Sequence, residues 1–168
     1  MTSYEQFFKR INSLDSGERA ALRREVGCSI RSAHGKAITT FYKCMTSSEN
    51  KSREECFFAI ACLRCLWESG DEKGLPLEQI ISNLICSEDI SDSTKHRVEL
   101  LLDTEFDDDG YMILKLARLV KLVRQKTDQI MIDFSELLND LIYWNSESQF
   151  VQRKWAKTIF SSKQKTEE

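Results

Sequence analysis

The chain has few of the residues that interrupt helices and few of those that perform catalysis. Its 168 residues include one proline, Pro76, and six glycines, too little punctuation for a chain of short strands and tight turns. Strict apolar–polar alternation is scarce as well, which leaves an all-helical reading. Only two histidines occur, His34 and His96, remote in sequence and without evident acid–base partners. No glycine-rich phosphate loop, nucleophile elbow or metalloprotease helix motif is present. No catalytic residue, metal ligand or cofactor site is therefore assigned. No apolar run approaches the ~18–20 residues of a membrane span. The segment Met1-Thr-Ser-Tyr-Glu-Gln-Phe-Phe8 lacks the basic start and long apolar centre of a secretory signal. The expected location is the cytoplasm, with no membrane partner.

Hydrophobic residues make up 41% and charged residues 30% of the chain, a balance that supports a packed core and argues against disorder. The expected organisation is one helical domain over residues 1–160 and a polar, frayed tail over 161–168. Apolar spacing outlines a compact bundle of about nine short helices. Tyr4, Phe7, Phe8 and Ile11 form a one-sided stripe, and Ser16-Gly-Glu-Arg19 opens a second helix. Ser52-Arg-Glu-Glu55 and Ser146-Glu-Ser-Gln149 both read as capping boxes. The helix after the first of these, Cys56 to Trp67, is nearly all apolar and is placed at the centre. Pro76 suits the first position of the next helix, and Ser135 is expected to begin a later one.

Six cysteines, at positions 28, 44, 56, 62, 65 and 86, without a secretory signal indicate reduced thiols. Cys62-Leu-Arg-Cys65 has the spacing of a metal or redox pair, which opens a thiol- or metal-enzyme reading. It lies inside an apolar helix with no second pair, however, and zinc would need two further ligands. Buried core thiols fit better. An acidic stretch before Gly110 resembles a calcium loop, with Glu105, Asp107 and Asp109 at its first, third and fifth positions. The twelfth position, which must supply a bidentate carboxylate, is then Leu116. That match fails, and the acids are assigned to the helix start that follows.

The informative pattern is segregated charge. Net charge is −3, so the whole molecule is not a simple basic nucleic-acid binder. Six acids and no base lie between Glu99 and Asp109. Immediately afterwards Lys115, Arg118, Lys121 and Arg124 recur every third position in an otherwise apolar helix. A step of three advances roughly 300°, so the ridge drifts by about 60° per cation and covers about half a turn. An almost wholly apolar helix of this kind is expected to be buried, with a single cationic seam. A second acid-free basic block contains Arg153, Lys154 and Lys157, flanking Trp155, which is read as core. Arg23-Arg24 end an amphipathic helix, and Lys43 follows Phe41-Tyr42. Four basic clusters without a catalytic signature favour contacts to a phosphate backbone. The alternative is a helical adaptor whose basic seam docks an acidic protein partner.

The order Arg97-Val-Glu-Leu-Leu-Leu102, Leu116-Ala-Arg-Leu-Val-Lys-Leu-Val-Arg124, Asp133-Phe-Ser-Glu-Leu-Leu-Asn-Asp-Leu-Ile-Tyr-Trp144 and Val151-Gln-Arg-Lys-Trp-Ala-Lys-Thr-Ile-Phe160 resembles the CasB family. That family is the small subunit of the type I-E CRISPR Cascade surveillance complex. In the N-terminal half, Leu14-Asp-Ser-Gly17, Leu22-Arg-Arg24 and Phe41-Tyr42 continue the likeness. The resemblance implies an all-helical, two-lobed, non-enzymatic fold. It implies the backbone and large subunits, CRISPR RNA, target DNA and a second copy of the chain as partners. It also implies that a basic face steadies the guide–target heteroduplex and the displaced strand. Carried over by position, Arg24, Arg97, Arg118, Lys121, Arg124, Arg153 and Lys157 are the phosphate candidates. Ala117-Arg118 departs from the two arginines frequent in the family at that place.

Overall fold

The computed structural model describes residues 3–46, 53–68, 73–89, 91–107 and 109–161. Among them nine α-helices follow one another: α1 (Ser3–Asn12), α2 (Ser16–Arg24), α3 (Gly35–Cys44), α4 (Glu54–Arg64), α5 (Leu77–Cys86), α6 (Asp92–Leu102), α7 (Tyr111–Lys126), α8 (Phe134–Ile142) and α9 (Phe150–Phe160). One 3-10 turn, Ile30–Ser32, precedes α3. The only other regular pairing among the described residues is a parallel bridge between Leu75 and Ile132. There Leu75 N–H donates to Met131 O at 2.9 Å and Asp133 N–H to Leu75 O at 2.8 Å. Gly74 makes that approach possible, since a Cβ at this position would lie 2.3 Å from the Ile132 carbonyl carbon.

Helix α4 is the centre, as its sequence predicts. Nine consecutive residues, Cys56 to Arg64, are buried. Helix α2 packs on one part of it, α7 and α8 on others, and α1 is joined to it through T-shaped contact of Phe7 and Phe57 at 4.9 Å. Around this centre α2 packs on α3, α5 on α9 and α6 on α7. Each fully buried Phe, Leu or Ile contributes roughly 1.5–3 kcal/mol, so the central helix supplies much of the driving force. The buried apolar side chains of all nine helices form one cluster.

Carboxylates set several helix starts one or two residues before the expected hydroxyl. Asp15 caps α2 with a complete capping box: its Oδ1 accepts from Glu18 N–H at 2.8 Å, and Asp15 N–H donates to Glu18 Oε2 at 3.1 Å. Asp133 caps α8 by accepting from Glu136 N–H at 3.1 Å. Asp109 accepts from Tyr111 N–H at 2.8 Å, the dipole-facing place expected for it. Gly110, with φ +78°, supplies the left-handed entry to α7. Pro76 stands one residue before α5.

Two expected capping boxes are not the ones used. Ser52 lies outside the described residues, α4 starts at Glu54, and the Glu55 carboxylate instead accepts from Ser29 Oγ at 2.5 Å and Ile30 N–H at 3.2 Å. Ser146 to Gln149 closes a turn, with Gln149 N–H donating to Ser146 O at 2.9 Å. Gln149 then adopts φ +51°, so α9 begins at Phe150 without a side-chain cap. The expected frayed tail, 161–168, falls outside the described residues except for exposed Ser161.

Cys62 and Cys65 are buried, as read from the sequence, and so are Cys44 and Cys56; Cys28 is half-buried and Cys86 exposed. Burial pushes the Cys44 and Cys56 thiols up to about 12 and Cys62 well above its ordinary value. A thiolate at Cys62 is therefore strongly disfavoured. A thiol reagent applied to the native protein at neutral pH should label Cys86 rapidly and Cys28 more slowly. Cys44, Cys56, Cys62 and Cys65 should react only on unfolding, and mass spectrometry of the labelled protein reads the pattern. Rapid native labelling of Cys62 or Cys65 contradicts the packing of α4.

Candidate nucleic-acid interface

Helix α7 is not buried all round. Met112, Ile113, Leu116, Ala117, Leu119, Val120 and Val123 face the core, while Tyr111, Leu114, Arg118, Lys121 and Arg124 are exposed. The expected buried helix is thus an amphipathic surface helix, because the drifting ridge and its apolar neighbours share one outer face. Among the described residues Arg118, Lys121 and Arg124 make no ion pair. Successive ridge residues rise about 4.5 Å along the axis, of the same order as the ~3.4 Å axial spacing of phosphates on one strand.

Helix α6 adds Arg97, which is exposed and shares with Lys115 and Arg118 a hollow of about 410 Å3 between α6 and α7. Lys115 is held in place: its Nζ donates to Thr104 Oγ1 at 3.1 Å and lies 4.3 Å from the Tyr111 ring centroid. The end of α2 also reaches this side, since Gly27 lies against Leu114 and Ala117. Arg24 precedes Gly27 by three residues, a span of at most about 11 Å, and is exposed. Arg23 beside it has its Nε–H committed to Cys65 O at 3.1 Å.

The other candidates have different surroundings. Lys43 pairs with Glu18 at 2.9 Å, and the pair holds the lysine above and the glutamate below their ordinary values. Lys154 is drawn inward to three carboxylates, Asp140 at 2.6 Å, Glu136 at 3.3 Å and Glu78 at 3.5 Å. Arg153 opens on a separate hollow of about 780 Å3 walled by Glu99, Asp103, Glu105 and Glu147. Lys157 is exposed on α9. Glu99, Asp103 and Glu105 of the acidic run thus line a different hollow from the one shared by Arg97, Lys115 and Arg118. Trp155, read as core, is fully buried and packs edge-on to Trp144 at 5.5 Å.

Several polar groups that matter were invisible to the sequence pattern. Glu78, Glu136 and Asp140 come from α5 and α8, and their oxygens lie within 4.8 Å of one another. This is the donor geometry of a cation site, and its cation is the Lys154 ammonium. Trp155 Nε1–H donates to the other Asp140 oxygen at 2.8 Å. Burial pushes the Glu78 carboxyl up, with Lys154 offsetting part of the effect. Burial disfavours the Lys154 charge too, but Asp140, Glu78 and Glu136 outweigh it and raise its proton affinity. His34, which has no evident partner in sequence, bonds buried Glu25 through Nδ1 at 2.5 Å and backbone N–H at 3.0 Å. Burial pushes Glu25 up, yet these bonds prevail and hold it below its ordinary value. His96 is exposed on α6, with Nδ1 3.3 Å from Glu99.

The sequence profile of the family described as CRISPR-associated protein Cse2 matches residues 18–160. The chain belongs to the Cse2 family. The match runs from the first turn of α2 to the last residue of α9, so it contains every cation named above. Solved structures share the fold. A Cse2-family protein of Thermus thermophilus superposes with a TM-score of 0.76 at 24% identity, covering 96% of this chain and 100% of that one. CasB of M. ruber gives 0.72 at 22% identity over 95% and 93%. A chain of a CRISPR RNA-guided surveillance complex gives 0.71 at 23% identity over 92% and 89%. No curated protein matches the sequence.

Removing Lys154 from α9 leaves three carboxylates facing one another across α5 and α8. Lys154→Met is expected to cost about 2–3 kcal/mol at neutral pH, just under the ~3–5 kcal/mol for breaking a fully buried pair because Lys154 is part-exposed. The folded-state value of Glu78 is raised, so its ionisation opposes folding once pH rises through that value and is without effect well below 4.5. The deficit of Lys154→Met should therefore shrink in acid, and adding Glu78→Gln should recover part of it. Urea unfolding of the two variants between pH 4 and 7 checks this, and a pH-independent deficit contradicts it.

Proposed function

We propose that this Cse2 chain is the non-catalytic small subunit of a type I-E CRISPR Cascade complex, acting in antiviral defence. Its α6–α7 face, formed by Arg97, Arg118, Lys121 and Arg124 with Arg24 at its border, holds the backbones of the guide RNA–target DNA heteroduplex and of the displaced strand. The observation that carries the reading is the separation of charge in a chain of net −3. Arg118, Lys121 and Arg124 of the ridge and Arg97 are exposed and without ion pairs among the described residues, while Glu99, Asp103 and Glu105 line a separate hollow. Family membership and the shared fold of a surveillance-complex chain support it. Further partners under this reading are the backbone and large subunits and a second copy of the chain.

The mechanism is electrostatic and independent of sequence. Opening a DNA duplex against a guide exchanges base pairs at nearly equal free energy, so a few contacts to the backbone tip the balance. Cations along α7 displace counterions from phosphates, and holding the displaced strand slows its return. Base pairing with the guide supplies specificity. Lys43 and Lys154 are left out of this reading because each is paired with carboxylates of its own chain.

Arg118→Glu and Arg124→Glu, each in the assembled complex, should weaken target binding roughly ten-fold and lower the salt slope by about one per residue lost. Circular dichroism and melting should remain near those of the unaltered subunit because both side chains are exposed. Normal target binding across a salt titration defeats the proposal. The competing reading, an adaptor that docks an acidic protein surface, draws on the exposed Leu100, Tyr111 and Leu114 on the same side. Crosslinking of bound nucleic acid to α7 within the purified complex separates the two.

A further inference from the structure

The hollow between α6 and α7 contains more than a phosphate contact requires. Its floor and walls include Leu100, Leu119, Leu122 and Tyr111, and its cations are Arg97, Lys115 and Arg118. Tyr111 remains 57% exposed and Leu100 42% exposed. Large apolar side chains in a concave, solvent-open place are unfavourable unless something covers them. At about 410 Å3 the hollow lies in the lower part of the small-ligand range, roughly 300–1,000 Å3. Lys115 braces the Tyr111 ring from one side at 4.3 Å, which fixes the ring as a platform.

A ligand that satisfies both halves of this lining must join a flat, weakly polar ring to an anion. An acidic side chain would answer Arg97 and Arg118 and leave the leucines and Tyr111 wet. A duplex offers phosphates, but its bases are stacked and present only their edges. A single strand offers an unstacked base and its phosphates together, and base–aromatic stacking tolerates any sequence.

Resting on the function proposed above, we infer that this hollow takes one unstacked nucleobase of single-stranded nucleic acid. The base lies against Tyr111 and the leucine floor, and its flanking phosphates lie on Arg97 and Arg118. The ridge beyond, Lys121 and Arg124, follows the continuing backbone. The face is thus selective for single strands over duplex, as a displaced strand requires. Tyr111 is the specificity-determining residue and the arginines supply affinity without discrimination.

The test uses the full chain at low salt with three fluorescent probes: a single-stranded 12-mer, the same strand with abasic sites, and the 12-bp duplex. The intact strand should bind roughly ten-fold more tightly than the abasic one. Tyr111→Ala should abolish that advantage while leaving duplex affinity and the salt slope unchanged, and Tyr111→Phe should retain it. A strand carrying 5-iodouracil should crosslink to Tyr111. Equal binding of intact and abasic strands, or an equal loss for strand and duplex in Tyr111→Ala, overturns the base-binding inference and leaves the phosphate-binding face standing. Absence of binding to all three probes at low salt overturns both. If Tyr111→Ala keeps full strand binding yet releases a protein subunit from the assembled complex, the hollow belongs to a protein side chain and the inference fails.

Discussion

The whole arrangement depends on burying α4, a helix that is apolar on every side. Such a helix has no solvent face to give away, so neighbours must cover it all round. The carbonyls of the turn that follows it, Cys65 to Glu68, are the difficult part, since they extend the negative end of the helix. Three arginines answer them. Arg19 Nη2–H donates to Trp67 O at 2.7 Å, Arg23 Nε–H to Cys65 O at 3.1 Å, and Arg64 Nη1–H to Trp67 O and Glu68 O at 3.3 Å. Arg19 also donates to Ile11 O at 3.2 Å, which ties the end of α1 to the same point. Helices α1, α2 and α4 are locked together by charge-assisted bonds to backbone.

The same chemistry explains why some cations are available for a ligand and others are not. A buried carboxylate must find a partner or lose its charge. Glu78 and Asp140 recruit Lys154, and Glu25 recruits His34. Exposed Glu99, Asp103 and Glu105 line a separate hollow that Arg97 and Arg118 do not share. Arg97, Arg118, Lys121 and Arg124 are left exposed and without ion pairs among the described residues. A chain of slightly negative total charge carries a basic face because its acids are spent or turned elsewhere.

Much of the fold was legible from local patterns. The apolar run Cys56 to Trp67 announced the central helix, and the acid-rich entry and threefold cationic spacing announced α7. The caps of α2 and α8 stand one or two residues before the expected serine because a carboxylate, Asp15 or Asp133, takes that place. The capping box read at Ser146 failed because Gln149 turns left-handed before α9 begins. Of the site, the pattern named the α7 cations but could not separate them from Lys43 and Lys154. Both of those pair with residues more than ten positions away.

By itself the sequence determined which segments are helical, which helix is central and on which segments the positive charge lies. These follow from residue spacing, capping chemistry and transfer free energy, all of which act within a few residues. Only the tertiary structure decided which cations remain free, because neutralisation depends on carboxylates brought from distant helices. It also decided that Arg97, Lys115, Arg118 and Tyr111 share one hollow. That hollow exists only where α6 and α7 pack, and packing is set by the shape of the common core and not by either helix alone.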